Sequence, residues 1–153
     1  MAFSMSLTAF NSKTGCEVGQ YAPDIRISPI NNQHNQQKLS EKRGKYTLLN
    51  FWNTADANSR LATKQYQLAL NDITVHGNIE MISINTDADT RLFEEIHRID
   101  GHNSEKAYRY EGRSDKLIRK FGLGRSMKSF LIDPNGEIIA INPNPVDIAA
   151  TIR

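Results

Sequence analysis

The sequence predicts an α/β domain with a mixed central sheet and helices on both faces. Two near-continuous apolar runs, KYTLLNFWN (45–53) and NIEMISINTD (78–87), have the length and composition of strands buried on both faces. The segment between them has helical spacing, so the three make a strand–helix–strand unit: a parallel pair with a right-handed crossover. The third observation is SFLIDPNGEIIAI (129–141). Its two apolar runs flank Asp133-Pro134-Asn135-Gly136, with proline at the second turn position and glycine at the fourth. That pattern is a type I turn in a β-hairpin, and it adds antiparallel strands to the parallel pair.

Bulk properties narrow the function. A chain of 153 residues fits one domain and can bury a core without disulfides or metals. With 39% apolar and 24% charged residues, it reads neither as wholly disordered nor as membrane-spanning. No run approaches the roughly 18 apolar residues of a membrane helix. A net charge of +2 makes no electrostatic case for a nucleic-acid partner. The single cysteine, Cys16, excludes an intrachain disulfide and any dithiol reaction within this chain.

In chain order, residues 1–17 read as a tail and 18–153 as the domain. The start, MAFSMSLTAF, is apolar but has no basic flank. Leu7-Thr8-Ala9 resembles the end of a lipoprotein signal, yet Phe10 stands where an acylated cysteine would follow. The segment is either the remnant of an export signal or a plain tail, and membrane attachment would need an amino-terminal anchor. APDIRISPI is expected to form an edge strand kept short by Pro23 and Pro29, and NNQHNQQ to be a turn. From Asn58 to Ile73, residues Ala62, Tyr66, Ala69 and Ile73 line one helical face. DADTRLFEEIHRI predicts a helix capped by Asp87 or Asp89, with Leu92, Phe93 and Ile96 on its inner face. GHNSEKAYRYEG reads as a polar connection. RSDKLIRKFG is a short helix with Leu117, Ile118 and Phe121 inward and Gly122 at its carboxyl end. Asn144 caps a last helix, with Pro145 in its first turn, running to Arg153.

With these elements in place, the motifs carry a resemblance. Gly19 with Ala22-Pro23-Asp24, Leu39-Ser40 before Arg43-Gly44-Lys45, Leu49-Asn50-Phe51-Trp52 with Thr54, and Phe130-Leu131-Ile132-Asp133 with Gly136 occur in order. Together they resemble the thioredoxin-like fold. More narrowly, they resemble the exported thiol–disulfide oxidoreductases related to the alkyl hydroperoxide reductase and thiol-specific antioxidant group. The resemblance runs from about Val18 to the end. It implies a Cys-x-x-Cys at the start of the first long helix and a cis-proline before the Phe130 strand. Aligned through Phe51-Trp52 and Arg60, those two cysteines fall on Asp56 and Ser59, and the proline falls on Met127. A non-proline cis bond costs about 2.5–4 kcal/mol, so the bond before Met127 is expected to be trans.

Disulfide exchange needs an attacking thiolate and a second thiol to resolve the mixed disulfide. Asp56 and Ser59 supply neither. A carboxylate at a helix amino terminus is favoured by the helix dipole by about 0.3–1 kcal/mol and can accept a backbone N–H. Asp56 is therefore expected to cap the helix through the N–H of residue 58 or 59, and Ser59 to be a first-turn hydroxyl without a His–Asp pair to activate it. Cys16 is a weak candidate for residual single-thiol chemistry.

The expected function is binding. A protein or peptide partner would meet a face formed by Trp52, Asp56, Ala57, Asn58, Met127, Arg125 and Lys128, with exposed Met127 as an adaptable apolar contact. Two alternatives stand beside it: a family oxidoreductase using Cys16 alone, and a structural subunit with this face buried in an oligomer. The oligomeric state is not encoded in any motif. Glu94, His97, Asp100 and His102 lie close in sequence but match no zinc signature, so neither a metal nor a cofactor is expected. Arg113, Lys116, Arg119, Lys120, Arg125 and Lys128 read as a solvated basic cluster, which would favour an acidic partner. The family resemblance implies export to the periplasm or beyond; the alternative is the cytoplasm.

Overall fold

The structure is a computed structural model that describes residues 13–74, 78–124 and 126–152. The signal-like stretch at 1–12, Arg125 and Arg153 lie outside the described residues, as does the side chain of Ile73.

Seven strands form one sheet in the order β2-β1-β5-β4-β3-β6-β7. They are β1 Arg26–Pro29, β2 Gln37–Lys38, β3 Tyr46–Trp52, β4 Ile79–Asn85, β5 Ala107–Tyr110, β6 Ser129–Ile132 and β7 Ile138–Ile141. The helices are α1 Ala57–Thr74, α2 Thr90–Ile99, α3 Ser114–Lys120 and α4 Ile148–Thr151. β3 pairs parallel with β4, as the crossover predicts, and β6 pairs antiparallel with β7, as the hairpin predicts; β3 also pairs antiparallel with β6.

β3 is covered on both faces, and its pleat divides the core. Leu49 and Phe51 pack with Leu117, Phe121 and Phe130 on the α3 side. Leu48 packs with Tyr66, Leu70 and Ile148 on the side of α1 and α4. The hairpin turn forms as read: Gly136 N–H donates to Asp133 C=O at 2.9 Å, with Gly136 at φ 92°. The Asp133 carboxylate accepts from the N–H groups of Asn135 and Glu137. At the end of α3, Gly122 at φ 61° lets Leu123 N–H reach Ile118 C=O, which satisfies an otherwise orphaned carbonyl. Asp89 caps α2 through Arg91 N–H, and Asn144 caps the last turn through Val146 N–H.

Several expectations are corrected. GHNSEKAYRYEG is not only a connection: Ala107–Tyr110 is a strand that bridges β4 and β1. Its four residues are too few to show a period, although two tyrosines favour a pleated surface. β1 is consequently interior to the sheet, and the two-residue β2 takes the edge. The inner face of α1 is Ser59, Thr63, Tyr66 and Leu70, rotated from the apolar stripe by two buried hydroxyls. Leu92 is exposed, and Phe93 with half-buried Ile96 and His97 faces inward.

The tail boundary at Val18 also moves. Tyr21 N–H donates to Lys13 C=O at 2.8 Å, Gly15 N–H donates to Tyr21 C=O at 2.9 Å, and Cys16 packs on the core cluster beneath α3. Lys13–Glu17 thus belong to the domain, which puts Cys16 in fixed, half-buried surroundings.

Candidate functional site

β3 delivers Trp52 to the carboxyl end of the sheet, and the chain turns through Asn53–Asp56 into α1. Asn53 makes the turn by accepting Ala55 N–H at 2.9 Å. The turn is tied to the end of β4: Thr86 N–H donates to Trp52 C=O at 2.9 Å, and Thr54 N–H reaches both carboxylate oxygens of Asp87 at 3.2 Å.

Asp56 is the cap of α1. Its Oδ1 accepts Ser59 N–H at 3.2 Å, and its carbonyl accepts Arg60 N–H at 3.1 Å. Ser59 answers from inside the first turn. Its hydroxyl accepts Asn53 N–H at 3.1 Å and donates to Asp56 C=O at 2.9 Å, and the residue is buried. Both side chains are spent on closing the turn, the structural role the residue types predict. Asp56→Ala is expected to cost about 1 kcal/mol in denaturant unfolding, with Asp56→Asn much milder because an amide oxygen still caps. Equal losses from the two substitutions would count against capping.

The remaining contact-face residues do not all reach the surface. Trp52 is corrected: it is only 2% exposed, so it backs the site and presents no contact area. Met127 is half-buried and its Sδ accepts from Thr86 Oγ1 at 3.3 Å, so it is less open than expected. The bond before Met127 is trans, since no cis peptide occurs among the described residues. Ala57 and Asn58 are exposed and Lys128 is half-buried. A cavity of about 360 Å³ lies beside them, lined by Asp56, Asn58, Ser59, Tyr66, Met127 and Asn142 with others. In the basic cluster, Arg113 and Arg119 both pair with Asp115, which offsets part of the cluster's charge, and Lys120 donates to the Asp24 backbone C=O.

Two features behind the site escaped the sequence reading. The first is a buried polar network. Asn50 Nδ2 donates to Thr63 Oγ1 at 2.8 Å and Ser83 Oγ at 3.1 Å, while its Oδ1 accepts from Ser129 Oγ at 2.8 Å. It joins β3, α1, β4 and β6. A lone asparagine in an otherwise apolar buried run was its available signal.

The second is an aromatic stack. The His102 ring meets Trp52 edge-on at 4.7 Å, and His97 and Phe93 extend the stack. Burial lowers the His102 pKa to about 4, against the opposing pull of Asp100, whose Oδ2 lies 3.7 Å from its Nε2. Burial lowers the His97 pKa too. Asp100 is gripped by Arg60 Nε and Nη2 at 2.7 and 2.6 Å, which holds its pKa below the usual carboxylate value. Among the described residues no group of three His, Cys, Asp or Glu side chains converges as a metal site.

The AhpC/TSA family model matches residues 18–141. The chain belongs to the AhpC/TSA family. Within this family of thioredoxin-like thiol–disulfide oxidoreductases, it is 25% identical over 138 residues to the thiol-disulfide oxidoreductase ResA of Geobacillus thermodenitrificans, covering 90% of this chain and 76% of that protein. The ResA of Geobacillus kaustophilus matches to the same extent. Among solved structures, a thioredoxin-like protein from Parabacteroides distasonis superposes with a TM-score of 0.75 at 29% identity, over 92% of this chain and 97% of that one. A thiol:disulfide interchange protein from Bacteroides sp. superposes with a TM-score of 0.72 over 93% of this chain and 89% of its own; at 19% identity it speaks to the fold alone. The AhpC/TSA fold is therefore the thioredoxin-like one that the motifs resemble, and the one cysteine of this member is Cys16, packed on the core cluster and not in α1.

Proposed function

We propose that this AhpC/TSA domain is a redox-degenerate binding module that holds a protein or peptide partner at the amino terminus of α1. The observation that carries this reading is the mutual engagement of Asp56 and Ser59. One closes the helix cap and the other closes the preceding turn, so neither is left as a nucleophile. The cavity beside Met127 and the exposed Ala57 and Asn58 supply a surface for a partner chain.

Cys16 is the basis of the alternative, a single-thiol oxidoreductase. Its sulfur packs near the end of α3, about 3.5 Å from where a Gly122 side chain would begin, and it has no second thiol in the chain to resolve a mixed disulfide. Reductant-coupled reduction of a protein disulfide separates the readings. Wild type and Cys16→Ser should both stay at background. Turnover by wild type that disappears in Cys16→Ser would overturn the binding-module reading. Export rests on the family resemblance, and recovery of the full-length chain in the cytosolic fraction of its source cell would remove it.

A further inference from the structure

Six large apolar side chains are exposed among the described residues, and four of them lie on α1 and α2. Leu61 and Leu68 are each 58% exposed, Leu92 is 51% exposed and Ile99 is 58% exposed. Single exposed leucines are ordinary on a protein surface. These four are ordered in two pairs. Leu61 and Leu68 are seven positions apart on α1, and Leu92 and Ile99 are seven apart on α2, so each pair shares one face of its helix. On α1 that face is opposite the buried side formed by Ser59, Thr63, Tyr66 and Leu70.

The two helices are joined. Arg60 of α1 holds Asp100 at the end of α2 by two bonds, at 2.7 and 2.6 Å. Lys64 Nζ lies 3.4 Å from Gly101 C=O, and Gln67 Oε1 accepts Asn103 N–H at 2.7 Å. A cavity of about 280 Å³ lies at this junction, lined by Ala57, Arg60, Leu61, Lys64 and Asp100. These contacts fix α2 against α1 and leave both apolar pairs uncovered.

The charge between the members of each pair indicates the occupant. Three positions after its first apolar residue, α1 carries Lys64 and α2 carries Glu95. Leu61-x-x-Lys64-x-x-x-Leu68 and Leu92-x-x-Glu95-x-x-x-Ile99 therefore have the same spacing and opposite charge. Laid along one another, they match Leu61 with Leu92, Lys64 with Glu95, and Leu68 with Ile99. Neither charge is held by a strong competitor. Lys64 has the long bond to Gly101, and Glu95 pairs with Arg98 between two exposed side chains, an arrangement that stabilises little in water. Within one chain the two stripes do not cover each other, since all four apolar members are more than half exposed. A second copy related by a two-fold axis covers both at once, because every contact of such an interface occurs twice.

We propose that the chain forms a two-fold homodimer in which the Leu61–Lys64–Leu68 stripe of α1 packs on the Leu92–Glu95–Ile99 stripe of its partner's α2. The two stripes share no residue with the cavity beside Met127, so the dimer does not depend on the function proposed for that face. Four apolar side chains from each copy make a small interface, below about 1,200 Å² in total, and the association is correspondingly weak.

The experiment is sedimentation equilibrium of the full chain from about 1 to about 500 μM. The mass should rise from one chain to two, with a Kd of about 50 μM. Lys64→Glu and Glu95→Lys should each weaken self-association at least about tenfold, because each puts like charges at both symmetric contacts. An equimolar mixture of the two variants should restore it to within about threefold, since opposite charges meet again at both contacts of the mixed dimer. Leu68→Ser tests the apolar part, should also weaken association about tenfold, and serves if a charge variant does not fold. Each variant should keep the circular dichroism spectrum of the wild type. A wild type that stays monomeric at every concentration would overturn the proposal and leave the patch to a different partner. Growth beyond a dimer, a dimer indifferent to all three substitutions, or a mixture that associates no better than its components would overturn it as well.

Discussion

Asn50→Ala is expected to lower the unfolding free energy by about 3 kcal/mol, and Tm by about 6–12 °C for a domain of this size. Asn50 is 1% exposed and uses its amide oxygen and both amide hydrogens on Thr63, Ser83 and Ser129, which are all buried. Truncation removes three hydrogen bonds and leaves a small void. It also strands the Ser83 hydroxyl and takes from Ser129 its amide acceptor, leaving it the Tyr66 hydroxyl, while Thr63 keeps its bond to Ser59 C=O. An unsatisfied buried group costs about 1–3 kcal/mol, so the orphaned partners set the size of the effect more than the lost bonds do. A double-mutant cycle with Thr63→Val tests the mechanism, because removing both ends of one bond should cost about 1 kcal/mol less than the sum of the single changes. Strict additivity, or a loss under about 0.5 kcal/mol for Asn50→Ala, would show that the network does not act as a unit.

Acid should destabilise the domain in a window set mainly by His102. Its pKa falls from 6.5 to about 4 on folding, because the ring is buried against Trp52 and Phe93-bound His97. A lowered folded-state pKa means that the unfolded chain binds more protons between those two values. Stability is then fully present above about pH 6.5 and declines as pH falls towards about 4. The expected loss is about 2 kcal/mol by pH 5 and about 3 kcal/mol by pH 4. His97 acts in the same direction. Asp100 acts lower: its pKa is held below 3.8 by Arg60, so its contribution persists through this window and is lost only as pH falls further. His102→Phe keeps an aromatic edge against Trp52 and should remove most of the slope between pH 7 and pH 4.5 in urea unfolding. An undiminished slope in that variant would assign the acid sensitivity elsewhere.

These two effects arise in parts of the molecule that a linear reading passes over. Asn50 sits inside YTLLNFW, where the apolar run predicts a buried strand and says nothing about which hydroxyls meet the amide. Thr63, Ser83 and Ser129 come from three other elements, so their convergence depends on sheet order and crossover. His102 and Trp52 are fifty positions apart in the chain, and the burial that lowers the His102 pKa comes from the packing of α2 and the following turn over β3. The cap was legible for the opposite reason: Asp56 and Ser59 act within one helical turn, where spacing alone brings the groups together.

The sequence by itself determined the local devices. These are the strand–helix–strand unit around FWNTADANSR, the Asp133–Gly136 turn, the Gly122 and Asn144 helix ends, and the thioredoxin-like order in which they occur. Each rests on bonds between residues a few positions apart, so residue type and period carry the information. Tertiary structure alone decided that Trp52 is hidden, that Lys13–Glu17 hold Cys16 in the domain, that AYRY is a strand, and that the exposed stripes of α1 and α2 lie on two helices that touch. Those outcomes depend on contacts between distant segments, whose energies are set by which surfaces finally cover one another.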